Sequence, residues 1–129
     1  MGFKSVKVLI TTIGLCLGSA AIAEDLVNYS IGPNGTDFYY DAETIRRYSN
    51  NTVEVWSKQD ASKDKTVTYR TKRSKLRIDC SAETFELIAL FTYRADGTVV
   101  DSGVVEYPEI IPIPPASTID QLSKILCPR

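Results

Sequence analysis

The stretch TVTYRTKRSKLRIDCSAETFELIALFTY, residues 66–93, decides the fold. Its second half, Phe85 to Tyr93, sets Phe85, Leu87, Ala89, Phe91 and Tyr93 against Glu86, Ile88, Leu90 and Thr92. Large apolar groups on both sides of a period-two pattern predict a central strand covered on both faces. The first half, Thr66 to Ile78, also alternates, but it is cationic. Arg70, Lys72, Arg73, Lys75 and Arg77 lie close together with no acid among them. This strand ends at Cys80, the first of two cysteines in the C-terminal hundred residues.

Working outward, turn signals recur at short intervals and predict an antiparallel sheet. Leu26 to Ile31 reads as a strand. Pro33-Asn34-Gly35 follows as a tight turn, because Asn and Gly tolerate positive φ. Asp37 to Tyr40 is the next strand, Asp41 to Arg47 a single helical turn capped by Asp41, and Val53 to Lys58 a third strand reached through Ser49-Asn50-Asn51. Gln59 to Lys65 is polar and reads as an exposed hairpin tip. Beyond the central strand, Ala95-Asp96-Gly97 turns the chain into a sixth strand, Thr98 to Tyr107. Pro108, Pro112, Pro114 and Pro115 then favour an extended connector. Ser117 and Asp120 form a capping-box pattern before a helix from Thr118 to about Leu126, whose stripe Ile119, Leu122, Ile125 and Leu126 should lie on the sheet. The expected fold is α+β: an antiparallel sheet of roughly six strands with one C-terminal helix packed on it. One helix covers one face, so the other meets solvent or a partner, including a second copy.

Residues 1–23 read as a cleavable export signal. Lys4 and Lys7 precede the apolar run Val8 to Leu17, and Ala21-Ile22-Ala23 supplies an A-x-A site. The run falls short of the ~20 residues a bilayer span needs and is followed by Gly18 and Ser19. Cys16 lies in the removed segment, and bulky Leu15 before it makes a poor lipid-acceptor site. The remainder, 24–129, is a single domain expected in the periplasm or on the outer cell surface, with no membrane span after cleavage. Two of the 15 basic residues and none of the 16 acids fall in the signal, so the domain carries a net charge of about −3. That charge gives no attraction to nucleic acid. Cys80 and Cys127, an even pair in a small exported domain, read as one structural disulfide tethering the helix to the end of the basic strand. In the chain-entropy model a loop of this length is worth ~4 kcal/mol.

The chain has no histidine. This removes the usual general base at neutral pH, the histidine-activated nucleophile pairs and the commonest zinc ligand. No glycine-rich phosphate loop is present, and Asp60 to Thr71 lacks the central Gly and closing Glu of a calcium loop. The carboxylate pairs Asp96 with Asp101 and Glu83 with Glu86 read as turn chemistry and a solvated strand face. No enzyme activity, cofactor or metal is expected.

Binding is the better prospect. With Leu76 and Ile78 turned to the core, period two sends Arg73, Lys75 and Arg77 to the opposite face, spaced ~7 Å apart. Such a ladder suits repeated sulfates or carboxylates on a glycan, or an acidic stretch of protein. Equally, these cations serve to solubilise a strand. Arg70 and Lys72 fall on the Leu76 side, near the hairpin tip. Trp56 shares a strand face with Glu54 and Lys58, and is expected to fill the sheet–helix core with those charges at the rim. The other reading makes it a contact anchor.

Tyr39-Tyr40-Asp41 followed by Thr44-Ile45, Val53-Glu54-Val55-Trp56, Leu76-Arg77-Ile78-Asp79-Cys80, the aromatic strand ending at Tyr93 before Asp96-Gly97, and Pro114-Pro115-Ala116-Ser117 with a last Cys127 form an ordered series. The series resembles the surface-adhesin protein E family of Gram-negative bacteria across nearly all of the exported domain. The resemblance implies an antiparallel sheet with a disulfide-tethered C-terminal helix. It also implies attachment to host matrix or serum components, with dimerisation. Some adhesins of this type are lipid-anchored, whereas this signal lacks a lipobox. The functional expectation is therefore an exported, non-enzymatic binding module that contacts a host extracellular-matrix or serum protein, or a sulfated glycan, through Arg70, Lys72, Arg73, Lys75, Arg77 and Trp56. The alternative is a periplasmic structural or assembly protein acting through a homodimer or an interface with another envelope protein.

Overall fold

The computed structural model describes residues 24–128, and the segment expected to be an export signal, with Cys16, lies outside the described residues. One antiparallel sheet is built from β1 (Leu26–Ile31), β2 (Asp37–Asp41), β3 (Arg46–Tyr48), β4 (Thr52–Asp60), β5 (Thr71–Asp79), β6 (Thr84–Tyr93), β7 (Val99–Val104) and β8 (Ile111–Pro112), and it is followed by helix α1 (Thr118–Leu126). Its path is β1-β2-β4-β5-β6-β7, the six strands expected. Two short strands extend it. β2 pairs with the Ser57–Asp60 half of β4 and β3 with the Thr52–Glu54 half, while β8 pairs with β6 at Thr84 and Phe85.

Local chemistry explains most boundaries. Asn34 and Gly35 both adopt positive φ, 61° and 79°, as the turn requires. Asp41 accepts a hydrogen bond from the Glu43 N–H at 3.1 Å, but the helical turn it caps is a 3-10 turn over Ala42–Thr44 only. Arg46 and Arg47 instead join β3, because pairing with β4 satisfies their backbone groups.

Residues 66–70, expected within a strand, lie in the β4–β5 connection. Asp60 accepts from the Ser62 N–H and Asp64 from the Thr66 N–H, each at 2.9 Å, and these side-chain bonds compete with ladder pairing. The connection is anchored, not a loose tip. Ala61 is buried, its N–H donates to the Arg70 carbonyl, and the Arg70 N–H donates to the Tyr93 carbonyl, both at 2.8 Å.

A β-bulge in β6 alters the face assignment. Lys75 pairs with Ala89 but Leu76 pairs with Leu87, so Ile88 is the extra residue. Phe85 and Leu87 therefore face the helix with Ile78 and Leu76, while Ala89, Phe91 and Tyr93 emerge on the opposite face. This corrects the uninterrupted alternation expected from Phe85 to Tyr93.

The core lies between sheet and helix: Val53, Val55, Leu76, Ile78, Leu122 and Leu126, flanked by Tyr29, Tyr40, Ile45, Phe85, Leu87, Ile113 and Ile119. Ser117 caps α1 by accepting from the Asp120 N–H at 3.1 Å. The Asp120 carboxylate reaches back to the Ala116 N–H at 2.9 Å, one residue earlier than in a capping box. Ile125, expected in the buried stripe, is 49% exposed, whereas Leu122 is fully buried. At 3.6 residues per turn, Ile119, Leu122 and Leu126 fall within about 60° of one another, and Ile125 lies outside that arc.

The Arg47 guanidinium donates to the Leu126 carbonyl at 2.6 Å, placing a cation at the helix C-terminus. The Cys80–Cys127 disulfide spans 5.6 Å between Cα atoms and joins the end of β5 to the end of the helix.

Candidate binding face opposite the helix

On the sheet face away from α1, three strands set charged and aromatic side chains in rows. Across β4 and β5 the opposed pairs are Lys58 with Arg73, Trp56 with Lys75, and Glu54 with Arg77. Across β5 and β6 they are Arg73 with Phe91, Lys75 with Ala89, and Arg77 with Glu86. Arg73, Lys75 and Arg77 thus share one face, as period two requires.

Acids interleave with the ladder. The Arg77 Nε–H donates to Oε2 of Glu54 at 2.8 Å, and its Nη1 lies 3.6 Å from Oε1 of Glu86. Lys75 Nζ sits 3.7 Å from the same Glu54 carboxylate, and the Tyr48 hydroxyl donates to it at 3.2 Å. Arg73 pairs with Glu24. The Glu54 side chain is only 9% exposed. Its burial works to raise its pKa, but the hydrogen bonds from Arg77 and Tyr48 and the charges of Arg77 and Lys75 outweigh burial and hold the carboxyl below its ordinary value. The same hydrogen bond raises the Arg77 guanidinium above its ordinary value.

Trp56 belongs to this face, and does not fill the sheet–helix core. Its ring lies 6.0 Å from that of Phe91, tilted by 45°, and Phe91 stacks on Tyr93 at 6.5 Å. These rings, with Arg73, Glu24 and Asp41, line a shallow hollow of about 290 Å³. A wider hollow of about 670 Å³ opens around Glu54, Arg77 and Glu86, between Tyr48, Asn50 and Thr84.

Arg70 and Lys72 stand apart from the ladder. Arg70 is exposed in the connection before β5. Lys72 is on the helix side, opposite Gln59 and Thr92, with Nζ 5.6 Å from the centre of the Tyr69 ring. Sequence reasoning missed Phe91 and Tyr93 because the bulge at Ile88 carries no residue signal. It also missed Glu54 as the centre of the network, although Glu54 shares the parity of Trp56.

Asp96 accepts from the Thr98 N–H at 3.0 Å, which is turn chemistry, and Glu86 serves the Arg77 pair. Among the described residues no group of three or more His, Cys, Asp or Glu is placed to hold a metal ion, and no helix is long and apolar enough to cross a membrane.

No curated protein matches the chain in sequence. Among solved structures the fold is similar to crystal form II of Haemophilus influenzae protein E, with a TM-score of 0.60 at 14% identity over 79% of this chain and 86% of that one. The selenomethionine form of the same protein gives 0.57 at 12% identity over 82% and 92%. The model of the surface-adhesin protein E family matches residues 27–128, the whole sheet beyond its first strand residue together with the helix and both cysteines. The chain belongs to the surface-adhesin protein E family.

Proposed function

We propose that this protein is an exported, non-enzymatic, adhesin-like binding module, and that the sheet face opposite α1 meets its partner. The observation that supports this reading most is the grouping of Arg73, Lys75 and Arg77 with Trp56, Phe91 and Tyr93 on that face. Partly buried aromatics supply area and the cations supply steering. Because Glu24, Glu54 and Glu86 alternate with the cations, the pattern favours the mixed-charge surface of a host matrix or serum protein over a uniformly sulfated glycan. Arg70 and Lys72 act as peripheral cations at the loop end.

The test is binding of immobilised matrix and serum proteins, and of heparin, at several salt concentrations. The variant neutralises Arg73, Lys75 and Arg77 to Gln together with Glu54→Gln, so that no buried carboxylate is stranded. Salt-sensitive protein binding should disappear while heparin retention stays weak throughout. Unchanged binding would sink the assignment of this face. Protease digestion of intact cells tests display: cleavage of the domain supports an adhesive role, and full protection supports a periplasmic assembly role.

A further inference from the structure

The sheet ends at β7, whose six residues are all exposed. Five of the nine most exposed large apolar side chains among the described residues fall in or just after it: Val99, Val100, Val104, Tyr107 and Ile110, with Val104 at 77% and Tyr107 at 85%. A concentration of this kind beside an open strand edge marks an interaction surface.

The backbone at that edge is free to pair. The Asp101 N–H turns inward, donating to the Thr92 hydroxyl at 3.1 Å, and the Val105 N–H turns inward to the Ile88 carbonyl at 2.8 Å. Alternation then directs the N–H and C=O groups of Ser102 and Val104 away from the sheet. β7 contains no lysine and no proline, two of the devices that shield a strand edge. A bulge at Val100 leaves Asp101 to Val105 as the regular run.

Charge identifies the occupant. From Ala95 to Glu109, through β7 and the segment just after it, the chain carries Asp96, Asp101, Glu106 and Glu109 and not one Lys or Arg. A second copy pairing along β7 would bring the acids of both chains into one ribbon, which like-charge repulsion opposes. A segment with Lys or Arg alternating with β-branched residues would match both the acids and the valines.

We propose that β7 is a docking strand that adds an extended, basic, β-branched segment of a partner protein to the sheet by antiparallel pairing with Ser102 and Val104. The pairing groups are the outward backbone N–H and C=O of Ser102 and Val104 at the sheet edge, and none belongs to the Arg73, Lys75 and Arg77 ladder, so either site can fail without the other.

The probe is a labelled ten-residue peptide of alternating Val and Lys, followed by fluorescence anisotropy with the exported protein. Two controls are the same peptide N-methylated at alternate residues and a Val–Glu counterpart. Binding of the Val–Lys peptide should fall at least about tenfold with either control, and by a similar factor in Ser102→Pro, which removes one outward N–H and leaves the β6 ladder intact. If Ser102→Pro melts early, the N-methylated peptide decides, since it leaves the protein unaltered. Equal binding of the N-methylated peptide, absence of Val–Lys binding, or a homodimer that excludes the peptide each overturn the proposal.

Discussion

Arg77 and Glu54 stand directly opposite each other on adjacent strands, with the guanidinium Nε–H 2.8 Å from the carboxylate. The carboxylate is nearly buried, while the Arg77 side chain is 40% exposed. Glu54 is thus the hub and Arg77 its bridge to Glu86 and solvent.

Because the Glu54 carboxyl is held below its ordinary value in the folded state, its contribution to stability is present above the unfolded carboxylate pKa and is lost as pH falls through the folded one. Thermal melts should therefore drop below about pH 4. Glu54→Gln should flatten that acid limb and cost about 1 kcal/mol at neutral pH, a value reduced by the solvent screening of Arg77. A wild-type acid limb in the variant would show that other carboxyls dominate.

Tyr29 titrates at the other end of the scale. Burial pushes its phenol up from 10.0 to about 12, so the stability it contributes is present below pH 10 and lost as pH rises towards 12. Alkaline melts should fall by about 2 to 3 kcal/mol over that window. Tyr29→Phe should leave stability at pH 7 close to wild type and remove most of the alkaline loss.

Two positions of the expected helix stripe, Leu122 and Ile125, differ in what they carry. Leu122 is fully buried and Leu122→Ala should cost about 3 kcal/mol, since little can collapse into the space beneath α1. Ile125→Ala, at a half-exposed position, should stay within about 0.5 kcal/mol. Denaturant midpoints of the two variants measure the difference.

The disulfide closes a sequence separation of 47 residues, which corresponds to about 4 kcal/mol in the chain-entropy account. Replacing Cys80 and Cys127 together by Ser should lower the melting temperature and speed amide exchange across Thr118–Leu126 more than across β4–β6. Uniform loss of protection would show that helix and sheet unfold as one unit regardless of the tether.

Alternation and turn chemistry alone made six strands, the final helix and the cysteine pair legible, because each rests on contacts within a few residues or on the count of cysteines. Parity within β5 likewise placed Arg73, Lys75 and Arg77 on one face. What the sequence did not contain was the relation between strands. One extra residue at Ile88 moves Phe91 and Tyr93 from the helix side to the ladder side, and no local preference marks where a bulge will fall. Trp56 follows the same logic: its parity was readable, but which parity met the helix was settled by Val53 and Val55 packing on Leu122 and Leu126. The ion pairs of the ladder also depend on register, since Glu54 and Arg77 are 23 residues apart in the chain and adjacent only in the sheet. Sequence by itself therefore determined the elements and the compositional class of the surface. Tertiary structure decided which charges are neutralised, which aromatics cluster and which edge is left open, because those depend on pairing between strands rather than on any one of them.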